Sequence, residues 1–135
     1  LIDTSLDDLY DQIEILGFPL SNPFELVDDD PGKYIKATDL PLNNGKIVTA
    51  LTYFINRKHV VTKYNDEMFF GTFVDAELNW IDTVHFPDSA RNFPLHDSGF
   101  YRIHGKVVED FGVFSIEVNR MEKVGHRKRA YENLR

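Results

Sequence analysis

The chain has 135 residues, enough for one domain with a sizeable core. It has no cysteine, which excludes disulfides and Cys-based zinc sites, and no apolar run long enough to predict a membrane span. Its net charge of −7 is unevenly spread: 10 acidic and 2 basic residues in 1–45, 11 and 9 in 46–123, 1 and 4 in 124–135. That balance is poor for gripping nucleic acid by charge alone, because phosphate neutralisation needs clustered Lys and Arg.

In chain order, residues 5–16 predict a helix. Thr4 or Ser5 can cap it, Asp7 and Asp8 favour its first turn, and Leu6, Leu9, Ile13 and Leu16 make an apolar stripe. Gly17 and Pro19 end it. Residues 18–44 read as an irregular linker punctuated by Pro19, Pro23, Pro31 and Pro41, with Asn43-Asn-Gly45 as a turn and Tyr34–Ala37 as a short extended piece. Asp28-Asp-Asp30 reads as a solvated acidic loop: adjacent carboxylates diverge, and Pro31-Gly32 break the spacing of a calcium loop. From Gly45 to Val124 five apolar, β-branched runs are separated by turn signals: Lys46–Ile55, Met68–Val74, Trp80–Phe86, Phe100–Val108 and Val113–Asn119. A basic turn, Asn56–His59, is expected after the first, and a helical turn over Pro87–Asn92 after the third. The fold class is therefore mainly β: a five-stranded Greek-key barrel of the OB type over 45–124, preceded by a helix and linker over 1–44. Residues 125–135 read as the start of a basic C-terminal helix; within it His126–Arg129 is either a phosphate-binding patch or a solvated tail.

Alternation assigns faces. Met68, Phe70, Thr72 and Val74 form one set and Phe69, Gly71, Phe73 and Asp75 the other. Tyr101, Ile103 and Val107 are expected in the core, with Gly105 bending the strand and Phe100, Arg102, His104 and Lys106 as the alternates. Phe114, Ile116 and Val118 are expected inside, as are Val84 and Phe86, while hiding Ile81 needs a bulge. Phe70, Val84, Ile103 and Ile116 head the expected core.

Several motifs carry a resemblance. They are Gly45-Lys-Ile-Val-Thr-Ala50, Val61-Thr-Lys63, Met68-x-Phe70-x-Thr72-x-x-Asp75, Phe86-Pro87 and Ile103-His-Gly-Lys-Val107. In that order and spacing they resemble the OB domain of the bacterial DNA polymerase III alpha subunit. Upstream, Glu14-Ile-Leu-Gly-Phe-Pro-Leu-Ser21 and Pro23 resemble the segment that precedes that domain, so the likeness spans most of 10–124. The chain departs from the family pattern at Asn22, Asn79 and Trp80. The resemblance implies a piece of a longer, cytoplasmic, C-family replicative polymerase, a nucleotidyltransferase that uses magnesium. It implies template single-stranded DNA as a partner, together with the rest of the polymerase chain and other replisome subunits.

The residues themselves supply little catalytic chemistry. None of the five histidines (His59, His85, His96, His104 and His126) pairs with an acid at zinc-protease spacing. Ser98 and Ser115 lack a nucleophile elbow, and no glycine-rich phosphate loop occurs. The clustered acids that hold two magnesium ions are also missing from the barrel. This fragment is thus expected to be non-catalytic and to need no cofactor itself. Binding candidates follow from OB geometry, in which single strands cross strands 2 and 3 between the 1–2 and 4–5 loops. They are Arg57, Lys58, His59, Lys63 and Tyr64 near the first turn, Phe69 and Trp80 for stacking, Arg102, and Phe111 in the acidic 4–5 loop. Binding by the isolated fragment is expected to be weak and salt-sensitive. The rival expectation is a protein-interaction module docking on the polymerase or another replisome subunit, which the acidic surface favours.

Overall fold

The structure is a computed structural model that describes residues 24, 27, 29–95 and 98–125. The expected helix over 5–16, the C-terminal helix start, His96 and His126 lie outside the described residues. Two short 3-10 turns, Pro31–Lys33 and Ala37–Asn43, lead into five strands. These are β1 (Ile47–Val61), β2 (Glu67–Val74), β3 (Trp80–His85), β4 (Phe100–Asp110) and β5 (Val113–Val124), with helix α1 (Pro87–Asn92) between β3 and β4. The strands close in the order β1-β2-β3-β5-β4, all neighbours antiparallel except β3 and β5. This is the five-stranded OB-type barrel that the run count indicates.

Four details of the strands differ from the sequence reading, and Asp29, expected in a solvated acidic loop, is instead half-buried and paired with Arg102. Residues 56–59 are not a turn. They continue β1, and the chain reverses at Thr62–Asp66, where Thr62 N–H donates to the Asp66 carbonyl at 2.8 Å. Pairing of 56–61 with 67–72 outweighs the local turn signal, and a bulge at Ile55 absorbs the extra residue. Second, the phase of β2 is reversed: Phe69, Gly71 and Phe73 face the interior, while Phe70 is 44% exposed. Third, β3 follows suit, because antiparallel partners share a face. Ile81, Thr83 and His85 are buried without a bulge in that strand, Val84 opposite Phe70 is only half-buried, and Phe86 is exposed. Finally, Phe100 is buried outside the barrel wall, where an outward position was expected to be open.

Two apolar clusters hold the molecule. The interior is filled by Phe69, Phe73, Ile81, Ile103, Val107, Ile116 and Val118, with Leu40 and Leu95 closing it. The second cluster lies on the outer wall, where Phe24 and Val27 cover Leu51, Ile55, Val74, Phe100 and Val124. Polar contacts fasten the linker beside it. Arg102 pairs with Asp29 at 2.7 Å and with Glu122, and donates to the Tyr34 hydroxyl at 3.0 Å. These contacts hold the Asp29 carboxyl down at about 2, chiefly through the Arg102 guanidinium and then the Tyr34 hydroxyl. Asp75 does the same for the β2–β3 turn. Its buried carboxylate accepts from the N–H groups of Glu77 and Asn79 at 2.9 Å each and of Ala37 at 2.8 Å.

Gly105 sits at the β4 register shift. A Cβ there would lie 2.2 Å from the Glu117 carbonyl oxygen and 2.7 Å from Ile116 Cγ2. Gly105→Ala is expected to destabilise by about 1–3 kcal/mol through overpacking. Urea unfolding checks this, and an unchanged midpoint would show that β4 and β5 are not so closely apposed.

Candidate nucleic-acid interface

The β1–β2 hairpin separates the basic cluster into two faces. Lys58 stands opposite Phe70, and Phe70 stands opposite Val84, so these three form a row across the outer surface of β1, β2 and β3. The next row on that surface is Asn56, Thr72 and Asp82. Trp80, beside the β2–β3 turn and opposite Val74, is 42% exposed. Phe70 and Trp80 therefore flank Asp82, separated by four residues of strand, about 13 Å along the sheet. Burial pushes the Asp82 carboxyl up. Beyond the hairpin end lie Lys63 and Tyr64; Tyr64 is 76% exposed and the Lys63 ammonium lies 5.1 Å from its ring centroid.

Arg57 and His59 point the other way, onto the face of Phe69. The Arg57 guanidinium is 5.9 Å from the Phe69 centroid, and the His59 ring stacks on Phe69 at 6.0 Å. Phe69 is only 4% exposed and its ring also stacks on His85 at 4.1 Å. It is a core residue and presents no stacking face on the outer surface.

Two further candidates stand apart. Arg102 is on the outer wall of β4, committed to Asp29, Tyr34 and Glu122. Phe111, 99% exposed, is at the tip of the β4–β5 hairpin, at the end of the barrel where β1 begins, away from the β1–β2 turn. Its φ of 51° and that of Gly112 at 81° give the turn two left-handed residues. The Glu109 carboxylate accepts from the Gly112 N–H at 2.8 Å and fixes the tip.

The structure thus puts Lys58 and Trp80 on one outer surface, with Lys63 and Tyr64 in the turn at the hairpin end and Trp80 at the other end of β2; it places Arg57 and His59 behind that surface and leaves Arg102 and Phe111 elsewhere. It adds Phe70, which the sequence reading assigned to the core. Gly71 held the clue: a small residue in phase with Phe69 and Phe73 marks the crowded face, where a Cβ would meet Thr83 Oγ1 at 2.4 Å. Among the described residues no group of three His, Cys, Asp or Glu side chains could hold a metal ion, and no helix is long and apolar enough to cross a membrane. No protein-family model matches the chain, and no curated protein matches it.

Proposed function

We propose that this chain is a single-strand-binding OB module from a bacterial DNA polymerase III alpha subunit, holding template DNA during chromosome replication. The family part rests on the sequence motifs. The binding part rests on one observation: Phe70 and Trp80 stand open on the β2–β3 face, with Lys58 in the Phe70 row. Aromatic faces on that surface stack bases regardless of sequence, at about 1–3 kcal/mol each. The spacing of the two rings suits bases that are not immediate neighbours in an extended strand. Lys58 and Lys63 supply phosphate contacts at the hairpin end. Asp82, between the rings, is placed to accept a hydrogen bond from an exocyclic amine.

A salt titration of labelled oligo-dT tests this. Replacing Lys58 and Lys63 together with Ala is expected to flatten log affinity against log salt by about 1.4 units, at about 0.7 per phosphate contact. Phe70→Ala and Trp80→Ala are each expected to weaken binding about tenfold with the slope kept, because stacking releases few counterions. Unchanged affinity and slope in all of these variants would sink the reading. The second reading, a protein-docking module, is favoured by Phe111. A bulky residue at positive φ with its side chain in water, flanked by Glu109 and Asp110, suits an apolar contact with a basic partner better than a phosphate backbone.

A further inference from the structure

The inner face of the β1–β2 hairpin and helix α1 enclose a cleft of about 540 Å³. Phe69 and Leu95 form its apolar floor, and the exposed His59 ring, stacked on Phe69, forms a shelf above it. Arg57 lines the cleft toward the barrel, and Asp66 and Glu67 line it toward the hairpin tip. Among the described residues these three charges make no ion pair. The register explains why they do not neutralise one another. Arg57 is opposite Gly71 and Glu67 is opposite Val61, so four residues, about 13 Å of strand, keep the cation and the anions apart.

A cleft with a donor at one end, acceptors at the other and an apolar floor fits a flat ligand of matching polarity. Phosphate does not fit: Arg91 also lines the cleft but is paired with Asp88, which leaves Arg57 against two carboxylates. Guanine does: it carries the O6 and N7 acceptors on one edge and N–H donors at N1 and N2 on another. Adenine would turn its N1 lone pair toward the carboxylates. Pyrimidines lack the paired acceptor edge that an arginine fork matches.

Resting on the single-strand reading above, we infer that this cleft takes a guanine base splayed out of the bound strand. Arg57 would donate to O6 and N7, Asp66 and Glu67 would accept from N1 and N2, and His59 would stack on the ring. The module would then carry a guanine preference on top of sequence-tolerant stacking at Phe70 and Trp80. A guanine from a free nucleotide has the same edges, so the experiment separates the two sources.

The test measures fluorescence anisotropy at one fixed salt concentration with labelled oligo-dT, the same oligonucleotide with one central guanine, and a third with inosine there. The guanine strand is expected to bind about tenfold more tightly than oligo-dT. Inosine, which lacks the N2 amine, should give back most of that gain. The surface double variant Asp66→Asn/Glu67→Gln should lose the guanine preference while still binding oligo-dT. Guanosine monophosphate is titrated separately. If it binds and the double variant abolishes that binding, with no gain for the guanine strand, the cleft takes guanine from a free nucleotide and the splayed-base source is overturned. If oligo-dT binds but neither the guanine strand nor the monophosphate shows a preference, the cleft inference fails while the strand reading stands. If no strand of any sequence binds, the single-strand reading fails, and the monophosphate titration alone decides whether the cleft is a guanine site.

Discussion

Phe73→Ala should cost about 3–5 kcal/mol, the range for deleting a fully buried aromatic ring. The Phe73 side chain is fully buried and central to the barrel. Its ring centroid lies 5.6 Å from that of Phe54 and 6.3 Å from those of both Tyr101 and His85, so truncation opens a cavity bordered by three strands besides its own. Domains of this size are stable by only about 5–15 kcal/mol, so the variant would sit near the unfolding threshold at body temperature. Urea unfolding should show a much lower midpoint with an unchanged slope, and the melting temperature should fall by roughly 20 °C. Phe70→Ala is the internal control. Its side chain is on the outer surface, and its loss should cost under about 1 kcal/mol. The pair reads the phase of β2 directly: a larger loss at Phe70 than at Phe73 would mean that the strand presents its other face to the interior.

The second large effect is set by pH. His85 is fully buried, and its Nε2 contacts Thr83 Oγ1 at 2.7 Å while Nδ1 has no hydrogen-bond partner. Burial holds its pKa down at about 4. The neutral ring is tolerated, but the imidazolium would leave a second N–H orphaned among Phe69 and Phe73. The depressed pKa fixes the sign. Above pH 6.5 the ring is neutral in both folded and unfolded chains, and stability is unaffected. As pH falls from 6.5 toward 4 the unfolded chain takes up the proton and the folded chain does not, so stability drains away, by about 3 kcal/mol in total. Asp29 acts in a lower window: its contribution is present above the ordinary carboxylate range and is lost as pH falls toward about 2. Unfolding at pH 7 and pH 5 should therefore differ by about 2 kcal/mol, and His85→Gln should remove most of that difference whatever it does to stability at pH 7. An unchanged pH slope in His85→Gln would place the titration at another group.

The barrel was legible because its signals are local and repeated. Five apolar runs, the Pro87–Asn92 helix and the inward set Ile103, Val107, Ile116 and Val118 all follow from alternation and turn chemistry. Strands β2 and β3 were not legible in phase. Met68, Phe69 and Phe70 are all apolar, so hydrophobicity alone does not say which of them faces in. In β3 the interior takes Thr83 and His85, two polar residues that share one hydrogen bond, while Val84 is left outside. A pattern reader prices that arrangement as unfavourable. The basic cluster misled for a related reason: Asn56–His59 has turn composition, but pairing with β2 holds it extended and sends Arg57 and His59 to one face and Lys58 to the other. The cleft behind the hairpin depends on that split and on where α1 packs, and neither is encoded in neighbouring residues.

Closure of the barrel through β1 and β4 has a consequence for synthesis on the ribosome. Ile47 pairs with Lys106, 59 positions downstream. At roughly 5–20 residues per second, about 3–12 s separate the emergence of these two partners. During that interval the β1–β2 hairpin can form, since its pairing is local and hairpins close in microseconds. Its inner face, with Phe69 and Phe73, then waits in water for strands not yet made, and the β1 edge that β4 will occupy offers unpaired N–H and C=O groups. The nascent chain is therefore most vulnerable to self-association midway through the barrel, and slowing elongation after Val74 should lower its yield of folded protein more than the same delay after Val124.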